Sequence, residues 1–306
     1  MRILVTGGTG FVGAPLCHAL RGAGHTVRVV TRHLEPADGT GVAWDDVGQA
    51  VREAEAVVNL AGEPIAARRW KEEQKRRIRD SRVETTRRLV AAIAATEPRP
   101  AVLLSASAVG YYGPHGDEPL DETAGPGSDF LADVCTAWEN EALAAERAGV
   151  RVVRLRLGIV LAADGGALAR MLPPFRAFVG GPLGRGEQWM SWIHRDDVTG
   201  LVVAALEDDR WHGAVNATAP EPVTNAGFAR ALGRTLSRPA VLRTPATVLR
   251  LALGEMAKML LTGQRVLPRR ALESGFRFAH PALEPALRDL LGKPDSRRPE
   301  AIGRHP

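Results

Sequence analysis

Short apolar runs alternate with segments of helical periodicity through the first half of the chain. This alternation predicts strands joined by covering helices, which are the βαβ units of a parallel sheet. The predicted strands cover residues 2–6, 26–32, 56–62, 101–107 and 150–158. The predicted helices cover residues 14–23, 72–95 and 131–148. Continuously apolar strands with helices between them are typical of a doubly wound α/β sheet of Rossmann type.

The second half of the chain has a different texture. Residues 171–188, MLPPFRAFVGGPLGRGEQ, contain four glycines and three prolines, so we predict a long irregular segment there rather than a helix. Residues 213–236 then predict a strand, a turn and a helix whose first turn is capped by Thr224 or Asn225. A smaller C-terminal lobe is therefore expected beside the sheet.

These patterns predict three regions. They are a dinucleotide-binding domain at 1–165, a mixed region at 166–293 that completes the sheet and forms the substrate-side lobe, and a flexible, proline-rich tail at 294–306. With 306 residues, 45% of them hydrophobic, the chain is long enough to bury a sizeable core.

Charge and cysteine content exclude several classes of protein. The net charge of +5 has its densest basic run at 67–82, but glutamates interrupt that run at helical spacing. We interpret it as a solvated helix face and expect no nucleic-acid partner. Cys17 and Cys135 lack the spacing of a disulfide framework or a zinc site, so no metal is expected. No signal-peptide pattern and no apolar run of membrane length is present, which predicts a cytoplasmic protein without a membrane partner.

The segment LVTGGTGFVG, residues 4–13, contains the most informative motif. Gly7, Gly10 and Gly13 follow a predicted strand directly and open a predicted helix. That context brings backbone N–H groups and a helix N-terminus onto a pyrophosphate. Gly7 allows the tight turn, Gly10 the close approach of the phosphate, and Gly13 the close packing of the helix.

The end of the second predicted strand bears on the choice of cofactor. An acidic residue there would accept hydrogen bonds from the adenosine ribose, but this chain has Thr31, Arg32 and His33. A guanidinium cannot accept such a bond, and it suits a 2′-phosphate as a bidentate donor. The sequence therefore predicts NADP(H) as the cofactor.

Several segments together resemble the extended short-chain dehydrogenase/reductases, the NAD-dependent epimerase/dehydratase family. They are the glycine loop, VVNLAG at 57–62, SASAVGYYG at 105–113, WIHRDDV at 192–198 and VNATAPEPVTN at 215–225. The chain is most similar to an atypical subgroup of epimerase family proteins, whose C-terminal module resembles RVLPRRALESGFRF at 265–278. The residues expected to contact the cofactor are Gly7, Thr9, Gly10, Phe11, Val12, Gly13, Thr31, Arg32, Leu60, Ala61, Gly62 and Ser105.

The resemblance also implies a tyrosine and, four positions later, a lysine that together perform proton transfer. The only tyrosines here are Tyr111 and Tyr112, and neither has a lysine four positions later. The tyrosine and lysine positions of the family correspond to Leu131 and Cys135, whereas Ser107 matches the family's serine.

Substitutes for this missing pair are few. The catalytic candidates are Ser107, Tyr111, Tyr112 and Glu63, while His194 is interpreted as a packing residue. Two functions stay open: an oxidoreductase or nucleotide-sugar epimerase of unknown small-molecule substrate, and an NADPH-binding or redox-sensing protein with little turnover. The arginines of the 72–95 helix disfavour a dry interface, and both a monomer and a homodimer remain open.

Overall fold

The computed structural model describes residues 1–31 and 40–292. Arg32, which the sequence predicts to select the cofactor, lies outside the described residues, as does the predicted tail at 294–306.

The described residues form thirteen strands. They are β1 (Arg2–Thr6), β2 (Thr26–Val30), β3 (Gly41–Val42), β4 (Ala56–Asn59), β5 (Val102–Ala108), β6 (Pro119–Leu120), β7 (Arg151–Leu157), β8 (Ile159–Ala162), β9 (Trp189–Met190), β10 (Trp192–His194), β11 (Gly213–Ala217), β12 (Val223–Thr224) and β13 (Arg265–Val266). Seven of them form one parallel sheet in the order β11-β7-β5-β4-β1-β2-β3.

Eleven α-helices are present among the described residues. They are α1 (Gly13–Gly22), α2 (Val47–Glu53), α3 (Glu72–Ala94), α4 (Phe130–Leu143), α5 (Gly166–Arg176), α6 (Arg195–Glu207), α7 (Asn225–Leu236), α8 (Ala246–Leu253), α9 (Ala257–Leu261), α10 (Arg269–Glu273) and α11 (Leu283–Leu290). None of these helices is both long and apolar enough to cross a membrane.

The main sheet is covered on both faces because alternate residues of each strand point to opposite sides. Val5, Val58 and Leu104 pack with α1 and α6 in one apolar cluster. Their strand neighbours, such as Leu4 and Leu103, pack with α2, α3 and α4 in a second cluster. The predicted doubly wound sheet is confirmed, and its five predicted strands end within three residues of the observed ones.

The prediction of an irregular segment at 171–188 is wrong for its first six residues. Helix α5 continues through Pro173 and Pro174 to Arg176. Leu168, Leu172 and Phe175 are buried on one face of this helix, and their burial stabilises it against the prolines. Proline usually ends a helix because it cannot donate a backbone hydrogen bond. In α5 the burial of the apolar face outweighs this loss.

The C-terminal lobe has its own core. Helices α5, α7 and α11 share a cluster of buried apolar residues that includes Trp192 and Phe228. The predicted cap of α7 is Thr224, whose Oγ1 accepts a hydrogen bond from the Gly227 N–H at 3.2 Å. Strand β13 pairs with β6, which ties the C-terminal segment to the loop after β5. The division at residue 165 stays a prediction.

Leu104→Ala is expected to reduce the free energy of unfolding by about 2 to 5 kcal/mol, because the side chain is fully buried in the sheet and its removal leaves a cavity. Leu272→Ala is the matched control, since Leu272 is 50% exposed and its truncation should change stability by at most about 0.5 kcal/mol. Urea denaturation measures both, and equal losses would contradict the assignment of the core.

Candidate cofactor site

The glycine loop connects β1 to α1 at the carboxyl edge of the sheet. Gly7 has a φ of +70°, and a Cβ at this position would lie 2.7 Å from the backbone carbonyl of Leu60. A Cβ at Gly13 would lie 2.2 Å from the Gly7 carbonyl oxygen. Any side chain at either position would therefore push the loop away from the sheet or from its helix. The loop is a close-packed turn that leads directly into the N-terminus of α1, where the backbone N–H groups of a helix favour an anion.

Phe11 anchors this loop against the following lobe. Cβ atoms added at Gly165 and Gly166 would lie within 2.9 Å of its ring, so both glycines are needed for the contact. The guanidinium of Arg195 lies 5.4 Å from the ring centroid and is ion-paired with Asp164 at 2.6 Å. The ring thus links the glycine loop to the turn after β8.

Two further predicted contact segments lie at the same edge of the sheet. Leu60, Ala61 and Gly62 follow β4 directly, and the Leu60 N–H donates to the carbonyl of Thr6 at 3.0 Å. Thr31 follows β2, and its N–H donates to the Val42 carbonyl at 3.0 Å. Because the carboxyl ends of parallel strands meet at one edge, these segments lie along the crevice where α/β sheets bind nucleotides.

A buried polar network lies beneath the crevice. The Thr6 hydroxyl donates to Asn59 Oδ1 at 2.6 Å, and Asn59 Nδ2 donates to Thr86 at 2.8 Å and to Ser105 at 3.3 Å. The indole N–H of Trp138 donates to the same Thr86 hydroxyl at 2.9 Å. Ser105, a predicted cofactor contact, is therefore bonded within the sheet.

A second network surrounds the predicted serine. Ser107 Oγ donates to Glu139 Oε1 at 2.7 Å, and Arg156 donates to both oxygens of the same carboxylate at 2.8 and 3.0 Å. Arg154 adds a third guanidinium contact at 2.7 Å. Burial alone would raise the pKa of Glu139, but the bonds and charge of Arg156, with Ser107, hold it below its usual value.

The two tyrosines differ in their surroundings. Tyr112 is fully buried, and its hydroxyl accepts from Arg156 at 2.9 Å and donates to Asn216 Oδ1 at 2.7 Å. Burial raises the pKa of Tyr112 to about 12, opposite to the direction that proton transfer near neutral pH requires. The Tyr111 ring stacks on Arg156 at 3.5 Å, and its hydroxyl has no hydrogen-bond partner among the described residues.

The half-buried residue Glu63 follows the LAG segment. Its backbone N–H donates to Ser81 Oγ at 2.9 Å, and its carbonyl accepts from the guanidinium of Arg82 at 3.0 Å. These two bonds fasten the backbone of the loop that contains Glu63 to α3. Glu63 and Tyr111 are the two catalytic candidates whose polar side-chain atoms have no hydrogen-bond partner among the residues that the structure describes.

Sequence reasoning missed Arg82. Its guanidinium lies 3.1 Å from the position of a Cβ on Gly62 and 5.3 Å over the ring of Trp138, and it forms no ion pair with any described residue. Burial lowers its pKa, and the nearby Cys135 and Glu63 oppose that shift. For Arg82, the interpretation of the basic run as a solvated helix face is wrong, because the side chain is only partly exposed and packs beside Gly62 and Trp138. The helical spacing could have identified Arg82, because it lies four residues after the buried Ile78 and four before the buried Thr86, and therefore on the same side of α3.

Cys135, which the sequence resemblance aligns with the family's lysine, carries no charge that could replace that lysine. The thiol is buried, and burial raises its pKa to about 12. A neutral thiol neither lowers a neighbouring pKa nor orients a ribose as an ammonium does. Arg82 is the cation that the structure places beside it.

One group of potential metal ligands is His194, Asp196 and His280, whose ligand atoms lie within 4.8 Å of one another. His194 Nδ1 accepts a hydrogen bond from the Asp196 N–H at 3.1 Å, so the neutral ring has its proton on Nε2. The ring also stacks on His280 with centroids 3.8 Å apart. Burial and then His280 lower the pKa of His194, which favours this neutral, helix-capping form.

The fold and the glycine loop define a class, the Rossmann-type dinucleotide-binding proteins. The sequence model of the NAD dependent epimerase/dehydratase family matches residues 3–217, and the chain belongs to that family. A second model, a domain of unknown function named DUF1731, matches residues 244–290. The predicted family and C-terminal module are confirmed.

Individual relatives match over most of the chain. An Arabidopsis thaliana protein, "Epimerase family protein SDR39U1 homolog, chloroplastic", is 45% identical over 95% of this chain and 87% of its own length. The crystal structure of human SDR39U1 with NADPH is 38% identical, with a TM-score of 0.89 over 95% of this chain and 99% of that one. A nucleoside-diphosphate sugar epimerase from Corynebacterium glutamicum is 32% identical, with a TM-score of 0.78 over 95% of this chain and 58% of that one.

Glu139→Gln is expected to lower the free energy of unfolding by about 3 to 5 kcal/mol, because it leaves buried guanidinium groups facing a neutral amide. The lowered pKa of Glu139 also predicts a pH effect. Its contribution is fully present above the carboxyl's ordinary pKa of 4.5 and is lost as pH falls through the lower folded value. The variant should therefore lose less stability on acidification than the wild type.

Glu141→Gln is the control on the same helix, because Glu141 pairs with the exposed Arg87 and should contribute at most about 1 kcal/mol. Denaturation at several pH values measures all three proteins. Equal stabilities of the two variants would show that the buried pair is not the stronger of the two.

Proposed function

We propose that this protein binds NADP(H) in the crevice at the carboxyl edge of the sheet and belongs to the atypical short-chain dehydrogenase/reductases. The glycine loop is the observation that supports this most, because Gly7 and Gly13 leave no room for a Cβ and the loop leads directly into the N-terminus of α1. The human relative whose structure contains NADPH supports the same ligand. Cofactor contacts are proposed at the predicted residues on the glycine loop, after β2 and after β4.

We add Arg82 to the proposed cofactor contacts. The Arg82 side chain is partly buried, and its Nη1 donates to the carbonyls of Glu63 and Ile78 at 3.0 and 2.9 Å, whereas its Nε and Nη2 have no hydrogen-bond partner among the described residues and are available to a ligand. The group lies beside Gly62 and next to Cys135, where the resemblance places the ribose-orienting lysine. We assign Arg82 to the nicotinamide half of the cofactor, as a hydrogen-bond donor to its ribose.

The bound cofactor would supply or accept a hydride, and the chain would hold the proton that accompanies it. Ser107 and Tyr112 have partners inside the protein for their hydroxyl groups. We therefore propose that Tyr111 or Glu63 exchanges this proton. The reaction is an oxidation, reduction or epimerisation of a small molecule, without the tyrosine and lysine pair of the family.

A second function is favoured by the same polar contacts. With Ser107 and Tyr112 engaged and Cys135 neutral, the crevice offers few groups for proton transfer, so an NADPH-binding or redox-sensing role with little turnover is the alternative. Turnover of bound NADPH by ketone or sugar-nucleotide substrates distinguishes the two functions. The cytoplasmic location and the oligomeric state stay predictions.

The first test is a titration with NADPH and NADH followed by cofactor fluorescence. A charge-assisted bond from Arg32 to the 2′-phosphate contributes about 1.5 to 3 kcal/mol, which corresponds to a preference for NADPH of roughly tenfold to a hundredfold. Arg32→Asp should abolish or reverse that preference, whereas Arg230→Asp makes the same charge change on the far lobe and should not. Equal affinities in the wild type would refute NADP(H) selectivity.

The second test addresses Arg82. Arg82→Gln should weaken binding of NADPH and of NADH alike, by about tenfold or more, because the lost bond lies in the half that the two cofactors share. Arg76→Gln on the exposed face of the same helix is the control and should leave both affinities unchanged. Calorimetric titration of the two variants, with circular dichroism to verify folding, gives the comparison. A dissociation constant unaltered by Arg82→Gln would assign this side chain to folding alone.

A further inference from the structure

One exposed surface of the C-terminal lobe combines apolar and basic side chains. Its large hydrophobic residues are Phe178, Val179, Val241, Leu242, Val248 and Leu251, each at least 51% exposed. We call these six the apolar surface. Helix α8, which contributes the last two, has no buried residue at all. Soluble proteins rarely expose large apolar groups together without a partner.

Backbone pairing holds the parts of this surface side by side. The Gly184 N–H donates to the Thr244 carbonyl at 2.8 Å, and the Thr244 N–H donates to the Pro182 carbonyl at 3.0 Å. This pairing aligns the segment after α5 with the segment before α8. Phe178 itself has a φ of +64°, which is unusual for a bulky side chain, and its ring is 55% exposed. The ring is therefore directed outward at a conformational cost.

The segments that contain the apolar surface are mainly basic. Segments 176–186 and 237–253 contain five arginines and no aspartate or glutamate. One of these arginines, Arg185, pairs with Glu187 at 3.1 Å, just beyond the first segment. Arg176, Arg238 and Arg243 are exposed and form no ion pair with any residue that the structure describes. The guanidinium of Arg238 lies 4.4 Å over the Phe178 ring, so charge and apolar area are in direct contact.

A cleft opens beside these arginines. It has a volume of about 570 Å³ and is lined by Ala163, Leu236, Leu290, Leu291, Arg176 and Arg238. Leucine walls with two guanidinium groups match an anionic group attached to an apolar chain. Guanidinium forks bind phosphate oxygens in a bidentate manner, which an isolated apolar ligand would not use.

From these features we propose that the apolar surface docks on an anionic phospholipid membrane. The outward side chains enter the interfacial layer, the arginines contact lipid phosphates, and the cleft with Arg176 and Arg238 holds one headgroup. A second copy fits less well, because a symmetric contact would bring the same arginines against each other. A peptide partner also fits less well, since the apolar side chains project outward instead of lining a groove.

This inference is independent of the cofactor and departs from the expectation, based on sequence alone, of no membrane partner. Arg69 connects the surface to the cofactor crevice, because it follows the loop after Gly62 and donates to the carbonyls of Leu251 and Ala252. Docking of α8 therefore acts on a segment that leads directly to the proposed nucleotide site.

Flotation with lipid vesicles tests the proposal on the full chain. The protein should float with vesicles of phosphatidylcholine mixed with phosphatidylglycerol and not with phosphatidylcholine alone, and high salt should release it. Each arginine near an anionic surface strengthens binding roughly fivefold, so Arg176→Gln, Arg238→Gln and Arg243→Gln together should weaken it about a hundredfold. The same change at Arg76, Arg77 and Arg79, on the exposed face of α3, should have a much smaller effect.

A second pair of variants separates apolar contact from charge. Leu251→Ser should weaken flotation, whereas Leu272→Ser, at another exposed leucine, should not. Circular dichroism verifies that every variant is folded. The proposal is overturned if the protein ignores anionic vesicles, if both arginine triples lose binding equally, if inorganic phosphate alone displaces the protein, or if sedimentation shows that the surface joins two copies instead.

Discussion

The buried ion pair between Glu139 and Arg156 is the interaction on which the candidate site depends. Both side chains are 3% exposed, so desolvation is compensated only because every carboxylate oxygen is bonded. The pair joins α4 to β7, and its extra bonds reach Ser107 on β5 and Tyr112 in the turn beyond. Asn216 on β11 continues the chain of contacts. The wall of the crevice opposite the glycine loop is therefore fixed by one charged centre.

That centre also limits the chemistry. Two of the hydroxyl groups that the sequence nominates for proton transfer, those of Ser107 and Tyr112, are bonded to the buried pair. A serine whose proton is donated to a carboxylate, and a phenol whose pKa is raised to about 12, are poor proton exchangers near neutral pH. Cofactor binding does not depend on this network, because the glycine loop and Arg82 are not part of it. The structure thus supports cofactor binding more strongly than it supports fast turnover.

The sequence predicts the parts of the fold that follow from local pattern. Apolar strands and the glycine spacing are enough to predict the parallel sheet and its nucleotide edge. The helix through Pro173 and Pro174 was not predictable, because burial of Leu168, Leu172 and Phe175 depends on a lobe assembled from distant segments. The pairing of Glu139 with Arg156 is equally non-local, since the two residues come from different elements. The position of Arg82, four residues from the buried Ile78 and Thr86 on α3, is a local signal of the site that the interpretation of the basic run as a solvated face overlooks.

The most direct test of this account is a crystal structure of the protein with NADPH. We expect the bonds of Glu139 to Ser107 and Arg156 to persist, Tyr112 to remain bonded to Asn216, and Arg82 to donate to the nicotinamide-side ribose. Tyr111 or Glu63 should then be the titratable group nearest to the nicotinamide. The account would be contradicted if Ser107 or Tyr112 had left its protein partner to bind the nicotinamide, or if Arg82 did not contact the cofactor.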